Sequence, residues 1–175
     1  MKIAIIGKMC SGKTTTANMI KQMDSRYDIF SFGQKIKDIA VDLFDMKEKN
    51  RSLLISIGTK MREIDPDVWI NYVMNQVKNK EYCIIDDLRY KNEYDSCVKN
   101  GFIFIKMDIS SLMQEQRIIR MYPNNYEDHL QNINHHSEKN EWFTSKKYYL
   151  NINSEEDIKK VEQKLYLLLF KNELS

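Results

Sequence analysis

Glycine is scarce in this chain, five in 175 residues, and proline scarcer still at two. No Gly/Pro/Ser-rich linker marks a boundary, and neither repeats nor low-complexity tracts occur, so a single domain spanning 1–175 is expected. Cysteine is limited to Cys10, Cys83 and Cys97. An odd number without C-x-x-C spacing argues against a disulfide framework or a zinc ribbon and fits a reducing compartment. Long apolar runs are missing too, with nothing near the roughly 18 residues of a membrane span. Met1 to Ile6 runs straight into a loop and leaves no room for a signal peptide, so the expectation is a soluble, intracellular, cytoplasmic protein without a membrane partner. Charge of one sign is not in excess either. A formal net charge of +2 with 30 % charged residues lacks the basic stripe of a nucleic-acid-binding protein. Any anion site must be local.

Two of the five glycines stand in Gly7-Lys-Met-Cys-Ser-Gly-Lys-Thr14, the phosphate-loop pattern G-x-x-x-x-G-K-[ST]. A buried strand is expected before it and a helix from about Lys13. Such a loop turns its backbone N–H groups inward around a phosphate at a helix N-terminus. Gly7, Lys8, Cys10, Ser11, Gly12, Lys13, Thr14 and Thr15 are therefore the candidate ATP-binding residues. Lys13 would reach the β and γ phosphates and the Thr14 hydroxyl would hold Mg²⁺. Cys10 lies where a helix N-terminus can acidify a thiol, although a variable motif position reads more simply as filler.

Beyond the loop, strand-like runs fall at 2–6, 28–32, 82–85, 102–107 and 148–152, mostly too apolar for a sheet with one wet face. Helical stretches alternate with them. Ile36, Ile39, Ala40, Leu43 and Phe44 share one helical face. Asp65-Pro66 reads as an N-cap with proline at the first helical position, Ser154 with Asp157 as a capping box for a last helix, and Gly101 as the C′ residue of the helix before it. The alternation predicts a parallel sheet covered on both faces, with ligands beyond the carboxyl ends of the strands.

At one such end stand Asp86 and Asp87, placed to orient Mg²⁺ beside a nucleotide; the sequence leaves open which of them serves the metal. Arginine is rare, six among 27 basic lysines and arginines, so its placement is informative. Guanidinium grips phosphate in a fork where ammonium is a point charge. Arg89 follows a strand end, and Arg117 and Arg120 form an i, i+3 pair, whereas Arg26 and Arg51 read as solvated surface charges. From Tyr122 to Trp142 the chain is polar and without apolar periodicity, as expected of a functional loop. It holds His129, His135 and His136, whose spacing is not that of a compact metal site. We read it as a lid that would bring Arg117 and Arg120 onto a transferring phosphoryl group.

Taken together, these residues resemble the deoxynucleoside monophosphate kinases of bacteriophage type, within the P-loop nucleoside monophosphate kinases. The resemblance rests on the phosphate loop, Phe32-Gly-Gln-Lys-Ile-Lys37, the segment Gly58-Thr-Lys-Met-Arg-Glu-Ile-Asp-Pro-Asp-Val-Trp69, Asp86-Asp-Leu-Arg-Tyr-Lys-Asn-Glu93, and His136-Ser-Glu138. It implies a three-layer α/β/α fold with a five-stranded parallel sheet, an acceptor-binding helical insert at about 33–78 and a lid at about 117–142. It also implies that Lys35, Arg62 and Arg89 grip the acceptor's phosphate, that Trp69 helps form the acceptor pocket, and that Glu93 supports that pocket or contacts the sugar or base. The implied reaction carries the γ-phosphoryl of ATP, with Mg²⁺, to a (deoxy)nucleoside 5′-monophosphate.

In that reaction the attacking phosphate, with a second pKa near 6, is already largely anionic near neutrality and needs no general base. The task is positioning and electrostatics, which Lys13, Arg89, Arg117 and Arg120 suit. Alternatives are another small-molecule P-loop kinase, of the dephospho-CoA or phosphomevalonate type, and a non-catalytic nucleotide-binding module. The guanine-reading N-K-x-D pattern of switches is not met, because Asn79-Lys80-Glu81 is followed by Tyr82. The sequence leaves a homodimer open.

Overall fold

The computed structural model describes residues 1–138, Phe143 and 149–170. Five strands form one all-parallel sheet: β1 (Lys2–Gly7), β2 (Asp28–Phe30), β3 (Cys83–Leu88), β4 (Phe102–Asp108) and β5 (Leu150–Asn153), in the order β2-β3-β1-β4-β5. Helices alternate with them: α1 (Lys13–Met23), α2 (Gln34–Phe44), α3 (Arg51–Ile64), α4 (Val68–Val77), α5 (Lys91–Lys99), α6 (Ser111–Met121), α7 (Tyr126–Gln131) and α8 (Ile158–Phe170).

Side chains of β1 alternate between the two faces, as a pleated strand requires. Ile3 and Ile5 join Ala17 and Ile20 of α1 and Val161 and Leu165 of α8 in one core. Ala4 and Ile6 join Val73 and Val77 of α4 and Tyr94 and Cys97 of α5 in the other. This is the three-layer α/β/α arrangement expected. A third cluster, Ile36, Ala40, Leu54, Ile57 and Trp69, binds α2, α3 and α4 to one another between β2 and β3.

Several local expectations shift. Strand β3 runs on through both aspartates to Leu88. Leu43 and Phe44 lie exposed at the end of α2. Asp65 is the C-cap of α3, and α4 begins only at Val68. Asp157 Oδ1 accepts from Lys159 N–H at 2.9 Å, but Ser154 Oγ is buried without a partner among the described residues, so no box forms between them. Gly101 does follow α5 at C′, with φ of 75°. The polar segment from Tyr122 is not one long loop: it contains α7 and a 3₁₀ turn, His136–Glu138. Lys139 to Trp142 of the expected lid, and Tyr148 of the expected fifth strand, lie outside the described residues. Among the described residues no helix is long and apolar enough to cross a membrane.

Candidate active site

The loop between β1 and α1 is fixed by sterics. A Cβ at Gly7 would meet the Met107 carbonyl oxygen at 2.7 Å and Ser11 Oγ at 2.6 Å, and Gly12 has φ of +93° at the N-cap of α1. Only glycine fits the first position and is unstrained at the second. Inside the loop the Lys13 ammonium, 7 % exposed, donates to the carbonyls of Gly7 and Lys8, both at 2.7 Å. Burial first, then the charge of Arg89, lowers Lys13 to about 7. The Lys8 side chain points to solvent. Burial pushes the Cys10 thiol up, so the acidifying effect of the helix N-terminus does not prevail there. From α6, Gln114 Nε2 donates to Met9 O at 3.0 Å and braces the loop's outer wall.

Asp86 and Asp87 are adjacent in a strand, where alternation would send them to opposite faces. The register between β1 and β3 shifts at this point: Ala4 pairs with Ile85 but Ile6 with Leu88, which puts one extra residue into β3. Such an irregularity re-aims side chains, and both carboxylates engage the same turn after β2. Asp86 accepts from the Thr14 hydroxyl at 2.7 Å and from the Ser31 hydroxyl. Asp87 accepts from the backbone N–H groups of Phe32 and Gly33, each at 2.8 Å, ahead of α2. Burial, then the charge of Asp86, raises Asp87. The two acids thus differ in kind: Asp86 meets the phosphate loop, while Asp87 is occupied by main chain.

A cleft of about 500 Å³ opens in front of these groups, within the range of small-molecule sites, and its walls include Cys10, Lys13, Thr14, Arg51, Arg62 and Arg89. Arg51 is 8 % exposed, which corrects its reading as a surface charge. Its Nη2 and the Nη1 of Arg89 both donate to Glu138 Oε1, whose partner oxygen Oε2 accepts from Met9 N–H at 2.6 Å. Burial alone would raise Glu138, but Arg89, Arg51 and Lys13 together hold it below the ordinary carboxylate value. Lys37 and Lys49 also line the cleft. Burial, then Arg51 and Arg89, lowers Lys49, which donates to the Tyr122 hydroxyl at 3.0 Å. Tyr122 in turn stacks on the buried His129 ring at 3.8 Å.

Glu93 is 2 % exposed. Its Oε2 accepts from the N–H groups of Arg89 and Tyr90 at 2.9 and 3.0 Å, and its Oε1 from Arg62 at 3.3 Å. Burial, then the charge of Asp87, raises it to about 7. The Arg62 guanidinium lies over the Tyr90 ring at 4.1 Å, and the His136 ring meets the same phenol at 5.4 Å.

Four expected residues are placed differently. Lys35 is not among the cleft residues; Lys37, two positions along α2, faces the cleft, and two positions on a helix turn a side chain through about 200°. Trp69 is 3 % exposed in the helical cluster, its indole N–H donating to Gly58 O at 3.2 Å, so it is core. Arg117 lines the cleft but donates to the carbonyls of Cys10 at 3.1 Å and Ser154 at 2.6 Å. Arg120, one turn further along α6, is exposed and outside the cleft. Sequence reasoning missed Arg51, Lys37 and Lys49 as cleft residues, and gave Glu138 no role beyond its place in the resemblance. For Arg51 the scarcity of arginine was the available signal.

A family model described as an AAA domain matches residues 3–141. The chain belongs to this AAA-domain family. No curated protein sequence matches it. Among solved structures, this AAA-domain chain is similar to shikimate kinase from Acinetobacter baumannii in complex with shikimate, at 16 % identity and a TM-score of 0.64 over 99 % of this chain and 95 % of that one. A sugar kinase from a Janibacter species gives 12 % identity and a TM-score of 0.62 over 96 % and 93 %. A gluconokinase from Sinorhizobium meliloti gives 12 % and 0.61 over 99 % and 95 %. At such identities the likeness is one of fold, and that fold is the P-loop kinase fold.

Proposed function

We propose that this protein transfers the γ-phosphoryl group of ATP to the phosphate of a (deoxy)nucleoside 5′-monophosphate, giving ADP and the diphosphate. The observation that carries the reading is the cluster of cations facing the phosphate loop across the cleft, Arg51, Arg62 and Arg89 with Lys37 and Lys49. A hydroxyl acceptor must give up its proton to a base, and the carboxylates lining the cleft, Asp86, Asp87, Glu93 and Glu156, each already accept from protein donors. A phosphate acceptor needs no base and brings charge that must be neutralised, which is what clustered guanidinium groups do.

In this reading the loop's N–H groups and Lys13 hold the donor's phosphates, and Arg62 and Arg89 receive the acceptor, with Glu93 holding the Arg62 guanidinium and the Arg89 main chain. Arg117 secures the loop through the Cys10 carbonyl. Thr14 and Asp86 present two adjacent oxygen donors of the hard type Mg²⁺ takes, so they would hold the ion. When bound, it neutralises charge on the phosphates of the donor. A cytoplasmic setting, rich in ATP, suits such a reaction.

A panel of ATP and Mg²⁺ with each common ribo- and deoxyribonucleoside monophosphate, alongside shikimate, gluconate and phosphomevalonate, tests the proposal by ADP release. Turnover with at least one nucleoside monophosphate is expected. Turnover only with another acceptor, or with none, overturns it.

A further inference from the structure

Glu138 is 2 % exposed and closes the 3₁₀ turn His136–Glu138, 129 residues from Met9 in sequence. Its carboxylate gathers donors from three elements: Met9 N–H of the phosphate loop, Arg51 Nη2 in the first turn of α3, and Arg89 Nη1 just after β3. Both guanidinium groups meet on one oxygen. Without the carboxylate these like charges would repel one another across a buried wall of the cleft. Arg51 is not exhausted by this contact, since its Nε is buried and has no partner among the described residues. The residue also lines the cleft, so its guanidinium stands beside an incoming oxygen atom with donor capacity left over.

We propose that Glu138 is a positioning residue that assembles Arg51, Arg89 and the start of the phosphate loop into one phosphate-receiving wall, with Arg51 contacting the acceptor's phosphate. Its identification of the anion as the acceptor's phosphate rests on the function proposed above; the wall itself does not. The turn carrying Glu138 would thus couple the order of the donor loop to the aim of the acceptor's guanidinium groups.

The proposal has a sign that simple electrostatics opposes. Removing a negative charge beside an anion site tightens anion binding, so a mere counter-charge predicts that Glu138→Gln binds phosphate better. Loss of positioning predicts weaker binding. Inorganic phosphate is the probe, titrated calorimetrically into the full chain with ADP present, and it requires nothing of the acceptor's identity. Glu138→Gln is expected to weaken its binding roughly tenfold, about 1.4 kcal/mol. Glu138→Asp keeps the charge but is one methylene too short to reach all three donors, and the same loss is expected; it also carries the test if the glutamine variant does not fold. Arg51→Gln should lose a similar factor, and Arg51→Gln/Glu138→Gln no more than either alone. With an active nucleoside monophosphate from the panel, KM for the acceptor should rise more than KM for ATP.

Phosphate binding unchanged or tightened in both Glu138 variants overturns the inference, as does a wild-type protein that binds no phosphate. Weakened phosphate binding together with an inactive acceptor panel would remove the proposed reaction and leave the positioning role standing.

Discussion

The Thr14 hydroxyl donates to Asp86 Oδ2 at 2.7 Å, so the first turn of α1 and the carboxyl half of β3 meet oxygen to oxygen at the mouth of the phosphate loop. Asp87, next in sequence, has its oxygens on the N–H groups ahead of α2 instead. Asp86→Asn is therefore expected to cut turnover at least about a hundredfold and to raise the Mg²⁺ needed for half-maximal rate. Asp87→Asn should instead cost about 1–3 kcal/mol of stability, the range for buried donors left unpaired. Rates at stepped Mg²⁺ and denaturant melts check both, and the distinction is lost if the two variants behave alike.

Lys13→Ala should remain folded and lose phosphoryl transfer, because the ammonium's hydrogen bonds go to carbonyls of its own loop. Near-normal turnover would remove the central role given to the loop. A pH effect accompanies it. Lys13 is held at about 7, and a triphosphate beside it would raise that value. Binding near about pH 8 should then take up a proton, while binding near about pH 6 should not, and affinity should fall as pH rises above the lower value. Calorimetry in buffers of differing ionisation enthalpy reads the proton count directly.

Glu93 bears on stability rather than on binding. Its folded value, about 7, lies above its ordinary 4.5. The stability it contributes is complete below the lower value and is lost as pH rises through the upper one. Glu93→Gln cannot titrate, so across that window the wild type should lose roughly 3 kcal/mol relative to the variant, from about 1.4 kcal/mol per pH unit. Denaturant melts at stepped pH measure the gap; a constant gap would contradict the prediction.

The arginines of the cleft should separate by substrate. Arg62→Ala is expected to raise KM for the acceptor far more than for ATP, because Arg62 lies beside Glu93 and Tyr90 rather than against the loop. Arg117→Ala should act mainly on ATP, roughly tenfold in KM, and Arg120→Ala should stay within about twofold of wild type. Equal effects on both substrates would take Arg62 out of the acceptor end.

How far the sequence carried these conclusions depends on how local each determinant is. The loop around Gly7 and Gly12 was legible because its requirements are backbone requirements, readable at one place in the chain. The parallel sheet followed from apolar runs alternating with helical periods. Glu138 was marked only as part of a resemblance, because its partners lie 87 and 49 residues away in Arg51 and Arg89. Its burial exists only once α3, β3 and the turn converge. Asp86 and Asp87 were indistinguishable for a related reason: the one-residue register shift that aims both of them belongs to strand pairing. Lys35 and Lys37 could be told apart only after the face of α2 was known.

Tyr90 carries the Arg62 guanidinium and the edge of the His136 ring. One phenol thus serves as the bearing between the helices lying between β2 and β3 and the turn that ends in Glu138. Shaving the ring away would remove both contacts at once and leave the two segments without this shared support.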